Sequence, residues 1–315
     1  MANVVLRTEG LTKHYGSLVA VKDLHLEVHE GEVFGFLGPN GAGKTTSISM
    51  MCGLLSPDAG QVTVLGKPIT NGDTRVRARV GICPQDIVLW PRLTCIEQLQ
   101  FIGQMYGLSR RQARSRSEYL LDQLNLLDKR NKQAHTLSGG MQRRLNLAMA
   151  LVHDPDIVVL DEPEAGLDPQ SRIKVREYIK SLARKKTIVL TTHNMDEADR
   201  LADRVAIIDH GELLACDTPE SLKRRLGKGD ILEIALNGDP TAAEKAIAAL
   251  AQFVERSAVY HTAGTLTIRT LNAVEILPAI LEKLSHLGLQ AGEIRLRQNT
   301  LEDVFIQLTG RGLRE

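Results

Sequence analysis

The chain has 315 residues, 43% of them apolar and 24% charged, a composition that supports a sizeable buried core and about two domains. Its 39 Lys and Arg against 38 Asp and Glu leave a net charge of +1, which argues against attachment to nucleic acid through bulk charge. Five Phe, five Tyr and one Trp are a poor supply for stacking single-stranded bases, and no apolar run approaches the roughly 20 residues of a membrane helix.

The N-terminus, Met1-Ala2-Asn3-Val4, lacks the basic-then-apolar build of a signal peptide, so a cytosolic chain that does not itself cross a membrane is expected. Strand-like and helix-like stretches then alternate to about residue 222, the pattern of an α/β domain with a largely parallel sheet. A strand is predicted over Val33–Leu37, a helix over Thr45–Leu54 and a strand over Val80–Ile82. From about Trp90 to Leu151 helical spacing takes over, which predicts an inserted helical subdomain. Ile157–Leu160 and Ile188–Leu190 are apolar without alternation, as in strands covered on both faces. Val205–Ile208 and Leu213–Ala215 flank Asp209-His210-Gly211-Glu212, a hairpin turn.

The basic, glycine-containing stretch Arg224–Asp230 reads as a linker. Beyond it come strand 231–236, helix 241–252, strands 254–261 and 265–270, helix 273–287, strand 291–297 and a last helix from Leu301 to Leu308. That order is βαββαβ plus a terminal helix, a ferredoxin-like arrangement. The expected division is therefore residues 1–226, with the helical insert at about 90–151, and residues 231–315. Cys52, Cys83, Cys95 and Cys216 are far apart and form no Cys-x-x-Cys pair, so they read as free buried thiols.

Gly38-Pro39-Asn40-Gly41-Ala42-Gly43-Lys44-Thr45, followed by Thr46, fills every fixed position of a phosphate-binding loop. It lies between a predicted strand and a predicted helix, where glycines let backbone N–H groups curl round phosphates and the helix N-terminus adds its positive end. Lys44 is then expected to reach the β- and γ-phosphates of ATP, with Thr45 on Mg²⁺. Asp161 and Glu162 end the buried strand at Ile157–Leu160. Adjacent carboxylates there can divide the work, Asp161 beside the metal and Glu162 as general base toward the attacking water.

Leu137-Ser138-Gly139-Gly140-Met141-Gln142 resembles the signature motif of ABC-type ATPases, and the resemblance extends over nearly all of residues 3–222. It implies a phosphate-loop ABC ATPase core with an inserted helical subdomain. Ser138, Gly139 and Gly140 open a helix and make a second anion cup. The resemblance implies that this cup serves the nucleotide of a second copy, paired head to tail. It also implies that Tyr15 stacks on adenine, that Gln85 is the lid glutamine at the metal and water, and that His193 senses the γ-phosphate. Ala165-Gly166-Leu167-Asp168 resembles the loop that crosses the dimer seam.

Met141 stands where the family usually has glutamine, and Glu164 where it usually has threonine. A carboxylate beside the γ-phosphate would be repelled, so Glu164 is expected to point toward the dimer seam. Leu301-Glu302-Asp303-Val304-Phe305-Ile306-Gln307-Leu308-Thr309-Gly310 resembles the tail of drug-exporter ATPases of the daunorubicin-resistance type. The implied function is the ATPase subunit of an exporter, peripheral to the cytoplasmic face of a membrane and working with a separate transmembrane permease. Trp90, in Asp86-Ile87-Val88-Leu89-Trp90-Pro91, is expected beside the groove where that permease docks, with simple packing against the helical insert as the other reading. Two further readings stand open: an importer ATPase with a ligand-sensing C-terminal domain, and a soluble non-transport ABC ATPase.

Overall fold

The computed structural model describes residues 3–69, 74–226, 230–237, 246–250, 259–262, 264–270 and 273–310. The chain divides into two compact units, the first running to Pro219 and the second beginning at Glu220. The division thus falls ahead of the basic stretch that reads as a linker. The reason is local: Pro219–Arg225 folds as a helix, which takes up residues 224 and 225 of that stretch.

The first unit opens with two long antiparallel strands, β1 (Val4–Tyr15) and β2 (Leu18–His29). With β4 (Ala59–Val64) and β5 (Lys67–Pro68) they form a four-stranded sheet in the order β2-β1-β4-β5. A second sheet has six strands in the order β10-β9-β3-β8-β7-β6. Here β3 is Val33–Leu37, β6 Val80–Cys83, β7 Ile157–Asp161, β8 Thr187–Thr192 and β9 Arg204–Asp209. These five run parallel, and β10 (Glu212–Asp217) returns antiparallel to β9 through the expected hairpin.

The unalternating apolar strands are explained by burial on both sides. Val158, Leu160, Ile188 and Leu190 join one core cluster, with helical residues such as Leu99, Leu120 and Leu145. Their neighbours Ile157, Val159 and Val189 join the other, with Phe34, Phe36 and the inward side of the antiparallel sheet. Successive side chains point to opposite faces, so each strand stitches two cores together. Each large apolar side chain fully buried this way contributes roughly 1.5–3 kcal/mol.

The helical insert comprises α3 (Cys95–Met105), α4 (Arg110–Gln123) and α5 (Gly139–Leu151). Thr94 with Glu97, and Ser109 with Gln112, close capping boxes that fix where α3 and α4 start. Before the insert come α1 (Lys44–Met51), shorter than the predicted helix, and a short α2 (Thr74–Arg77). After it come α6 (Pro169–Leu182), capped by Asp168 with Pro at its first position, and α7 (Met195–Leu201), capped by Asn194.

From its second residue on, α8 (Pro219–Arg225) belongs to the second unit and leads to a four-stranded antiparallel sheet. Its order is β12-β13-β11-β14, with β11 Asp230–Asn237, β12 Val259–Thr262, β13 Thr265–Thr270 and β14 Gln290–Arg297. This is the ferredoxin-like order. Residues 246–250 are helical, and α9 (Ala273–His286) and α10 (Leu301–Thr309) follow. The remainder of the predicted helix 241–252, and 254–258 of the predicted strand, lie outside the described residues. Cys52, Cys83 and Cys95 are buried and Cys216 partly so, all as free thiols.

Candidate nucleotide site

The loop between β3 and α1 begins at Gly38 and reaches the helix through Gly43, whose φ of +97° only glycine adopts readily. A Cβ at Gly43 would stand 2.3 Å from the Ala20 carbonyl oxygen on β2, so the close approach also demands glycine. A cavity of about 430 Å³ opens over this loop. It is lined by Pro39, Asn40, Gly41, Gly43, Lys44, Thr45 and Thr46, by Gln85 and Glu162, and by Tyr15 and Leu18 of the β1–β2 hairpin. Tyr15 stands half exposed at its rim.

Lys44 is buried and turns back over its own loop, Nζ donating to the carbonyl oxygens of Gly38 at 2.7 Å and Pro39 at 3.1 Å. Burial lowers the Lys44 ammonium from its ordinary value, while the nearby Glu162 and Asp161 carboxylates work to hold the charge. The Lys44 ammonium stands 3.7 Å from Glu162 Oε1, on the wall of the same cavity.

Asp161 ends β7, and Thr45 Oγ1 donates to its Oδ2 at 3.4 Å. The Thr191 hydroxyl, from β8, donates to the other carboxylate oxygen. Glu162 follows at φ +45°, a left-handed conformation that costs a residue with a side chain about 1–2 kcal/mol. Its N–H holds that conformation by donating to Thr191 Oγ1 at 3.0 Å and to the Thr191 carbonyl at 3.2 Å. Glu162 Oε1 lies 2.9 Å from His193 Nδ1, at the end of β8. The strained backbone thus aims a buried carboxylate at the half-exposed imidazole on one side and Lys44 on the other. All these groups gather at the carboxyl ends of β3, β7 and β8, where open parallel sheets bind ligands.

Among the described residues no group of three or more His, Cys, Asp and Glu is placed to hold a metal. Thr45 and Asp161, with Gln85 on the cavity wall, make instead a sparse set of hard oxygen donors. Mg²⁺ suits such a set, because it keeps waters and takes phosphate oxygens to complete its shell.

Ser138 caps α5, its hydroxyl accepting from the Met141 N–H at 3.4 Å, and Gly139 and Gly140 form the first turn. None of the three lines the cavity over the phosphate loop. One chain therefore carries two separate glycine-bearing helix starts.

Residues 21–165 match the family described as "ABC transporter". The chain is 37% identical over 312 residues to the linearmycin resistance ATP-binding protein LnrL of Bacillus subtilis (strain 168), covering 99% of this chain and 100% of the relative. It is 40% identical over 313 residues to the Nod factor export ATP-binding protein I of Ralstonia nicotianae, covering 99% and 95%. To the daunorubicin resistance ATP-binding protein DrrA3 of Streptomyces coeruleorubidus it is 36% identical over 312 residues, covering 98% and 97%. A solved dimeric ATP-binding cassette, in a post-hydrolysis state with ADP and Pi, superposes with a TM-score of 0.62 at 27% identity, over 68% of this chain and 98% of the cassette. The chain belongs to the ABC transporter ATP-binding family. It is an ATPase, and its core is the phosphate-loop ABC fold that the sequence implied.

Within this ABC ATPase one expectation is overturned. Glu164 is buried and turned inward, and Arg176 of α6 donates to both its oxygens, Nε at 2.9 Å and Nη2 at 2.6 Å. A cation twelve residues on satisfies the carboxylate within its own chain, so it does not reach toward a seam. Three residues that the sequence reading did not single out also shape the site. Thr191 bridges Asp161 and Glu162, Glu197 accepts from Thr192 Oγ1 at 2.6 Å next to His193, and Arg143 reaches both site loops. For Thr191 the only signal was its place two residues before His193, near a strand end.

Proposed function

We propose that this chain is the ATP-hydrolysing subunit of an ABC exporter, working as a head-to-tail pair beside a separate transmembrane permease at the cytoplasmic face of a membrane. The reading is supported by relatives named for export and for drug resistance. No helix among the described residues is long and apolar enough to span a membrane. The observation that carries the chemistry is the single carboxylate oxygen of Glu162, 2.9 Å from His193 Nδ1 and 3.7 Å from Lys44 Nζ.

In this reading Tyr15 stacks on adenine at the cavity rim, and the loop N–H groups from Gly38 to Thr46 cradle the phosphates. Lys44 swings from its carbonyl partners to the β- and γ-phosphates. Thr45, Asp161 and Gln85 hold Mg²⁺, which when bound neutralises charge developing on the phosphate oxygens. Glu162 takes the proton of the attacking water, and His193 orients that carboxylate from the γ-phosphate side. Ser138, Gly139 and Gly140 close over the nucleotide of the other copy through their helix N-terminus. The unit from Glu220 onward is an accessory domain that folds by itself.

The permease is proposed to dock on the apolar surface around Trp90. That residue is 40% exposed and meets Phe101 of α3 edge to face, with ring centroids 5.4 Å apart. Phe101, Met105, Ile87 and Val88 are exposed as well. Trp90 thus packs on the helical insert and still presents a face, and aromatic anchors of this kind dominate interfaces. Co-purification with the permease tests the assignment. Trp90→Ala should lower its yield while ATP binding stays at the parent level; undiminished assembly would remove Trp90 from the interface.

A further inference from the structure

We propose that Arg143 is a positioning residue that ties the start of the signature helix to the two loops bearing Gln85 and Asp161–Glu162, so that magnesium-dependent turnover depends on its guanidinium. The proposal rests on the roles assigned above to those three residues.

Arg143 is 3% exposed on α5, one turn beyond Ser138 and the two glycines. A guanidinium has five N–H donors in a fixed planar fork. Here each of the five finds a backbone carbonyl. Nε donates to Pro163 at 3.2 Å, Nη1 to Pro84 at 2.5 Å and Gln85 at 2.9 Å, and Nη2 to Asp161 at 2.7 Å and Glu162 at 2.8 Å. No carboxylate among the described residues forms an ion pair with it. A buried cation is costly unless fully hydrogen-bonded, and here carbonyl dipoles alone meet the charge. The donor set thus spans both loops, although the Glu162 carbonyl also accepts from the Ala165 N–H at 3.1 Å.

The geometry has a direct mechanical reading. Glu162 sits in a strained backbone conformation, pinned at its N–H by Thr191 and at its carbonyl by Arg143. The same guanidinium holds the carbonyls of Gln85 and Asp161, so one side chain sets the spacing between two proposed magnesium donors and the proposed base. Asn146, three residues on along α5, has Nδ2 3.5 Å from the Asp86 carbonyl, a second hold on the same loop. Among the described residues Lys44 bonds carbonyls of its own phosphate loop and lies 3.7 Å from a Glu162 oxygen, so nucleotide capture by that loop has no direct contact with Arg143.

The test compares Arg143→Met and Arg143→Lys with the parent as full-length protein, alongside Glu162→Gln. Four quantities are measured: melting temperature, ATP affinity in EDTA, kcat, and the Mg²⁺ concentration for half-maximal turnover. Arg143→Met should hold ATP within about three-fold of the parent in EDTA and require more Mg²⁺. Its kcat should fall roughly 10–100-fold, the effect of misplacing catalytic groups by about 1 Å. Lysine has three donors that cannot span both loops, so Arg143→Lys should recover only part of this. Should Arg143→Met fail to fold, Arg143→Lys decides alone: parent-like kcat and Mg²⁺ requirement overturn the proposal. Unchanged kcat and Mg²⁺ dependence in Arg143→Met, or complete rescue by lysine, also overturn it. Full turnover by Glu162→Gln would instead overturn the underlying assignment of the base, leaving the two failures distinguishable.

Discussion

The inward pair Glu164–Arg176 makes an asymmetric prediction about stability. The Glu164 side chain is 8% exposed and that of Arg176 22%. Arg176→Met would strand a buried carboxylate close to Glu197, itself buried and acidic. Breaking a buried pair from this side costs about 3–5 kcal/mol, because the remaining charge has no solvent to recover. Glu164→Thr strands the guanidinium instead, which is partly exposed and still feels the Glu197 carboxylate. Its cost is smaller, about 1–2 kcal/mol, since water reaches the released group. At roughly 2–4 °C per kcal/mol for a unit of this size, Arg176→Met should melt about 6–20 °C below the parent and Glu164→Thr about 2–8 °C below. The double variant removes both charges and should melt above Arg176→Met. Thermal melts followed by circular dichroism read all three, and turnover well below melting should stay within a few-fold in Glu164→Thr because Glu164 does not line the cavity. Equal melting of the two single variants, or a double variant whose loss is their sum, would refute this account of the pair.

Two other predictions concern a buried acid and the domain division. Burial pushes the Glu197 carboxyl up to about 7 from an ordinary 4.5, so the folded chain keeps a proton that the unfolded chain releases between those values. Stability therefore falls as pH rises through that window and levels off above it, by about 3 kcal/mol in all at ~1.4 kcal/mol per unit. Glu197→Gln should lose this slope, so its melting temperature should gain on the parent's between pH 5 and 7.5; a constant difference across that range would contradict it. Truncation after Pro219 should leave a soluble unit that binds ATP, as read by displacement of a fluorescent nucleotide analogue, and an insoluble product would show the units inseparable.

Much of the fold was legible because its signals are local. Unalternating strands such as Ile157–Leu160 announce burial on both faces, and the eight residues from Gly38 to Thr45 carry their conformational demands in their own glycines. Glu162 and His193 were legible as strand-end residues, and the 2.9 Å between them follows from the pairing of β7 with β8. Arg143 was not legible. Its acceptors are backbone carbonyls 18–59 residues away in sequence, and a carbonyl has no sequence signature, so a basic helix residue reads as solvated. Glu164 misled for a related reason: repulsion from a phosphate was visible in sequence, whereas the cation that draws it inward sits on the far side of a loop and a helix start. The helix Pro219–Arg225 was hidden because its basic last turn resembles a linker, although Lys223, Arg224 and Arg225 are favourable at a helix C-terminus.

Glu162 is proposed as the base of a magnesium-dependent ATPase whose nucleotide is held by the loop at Lys44. Single-turnover hydrolysis by Glu162→Gln, measured beside its ATP affinity and its sedimentation with ATP, tests this most directly. Affinity should stay within a few-fold of the parent, hydrolysis should fall roughly 10²–10⁴-fold, and the variant should accumulate as an ATP-bound dimer. Near-parental hydrolysis by Glu162→Gln would contradict the claim.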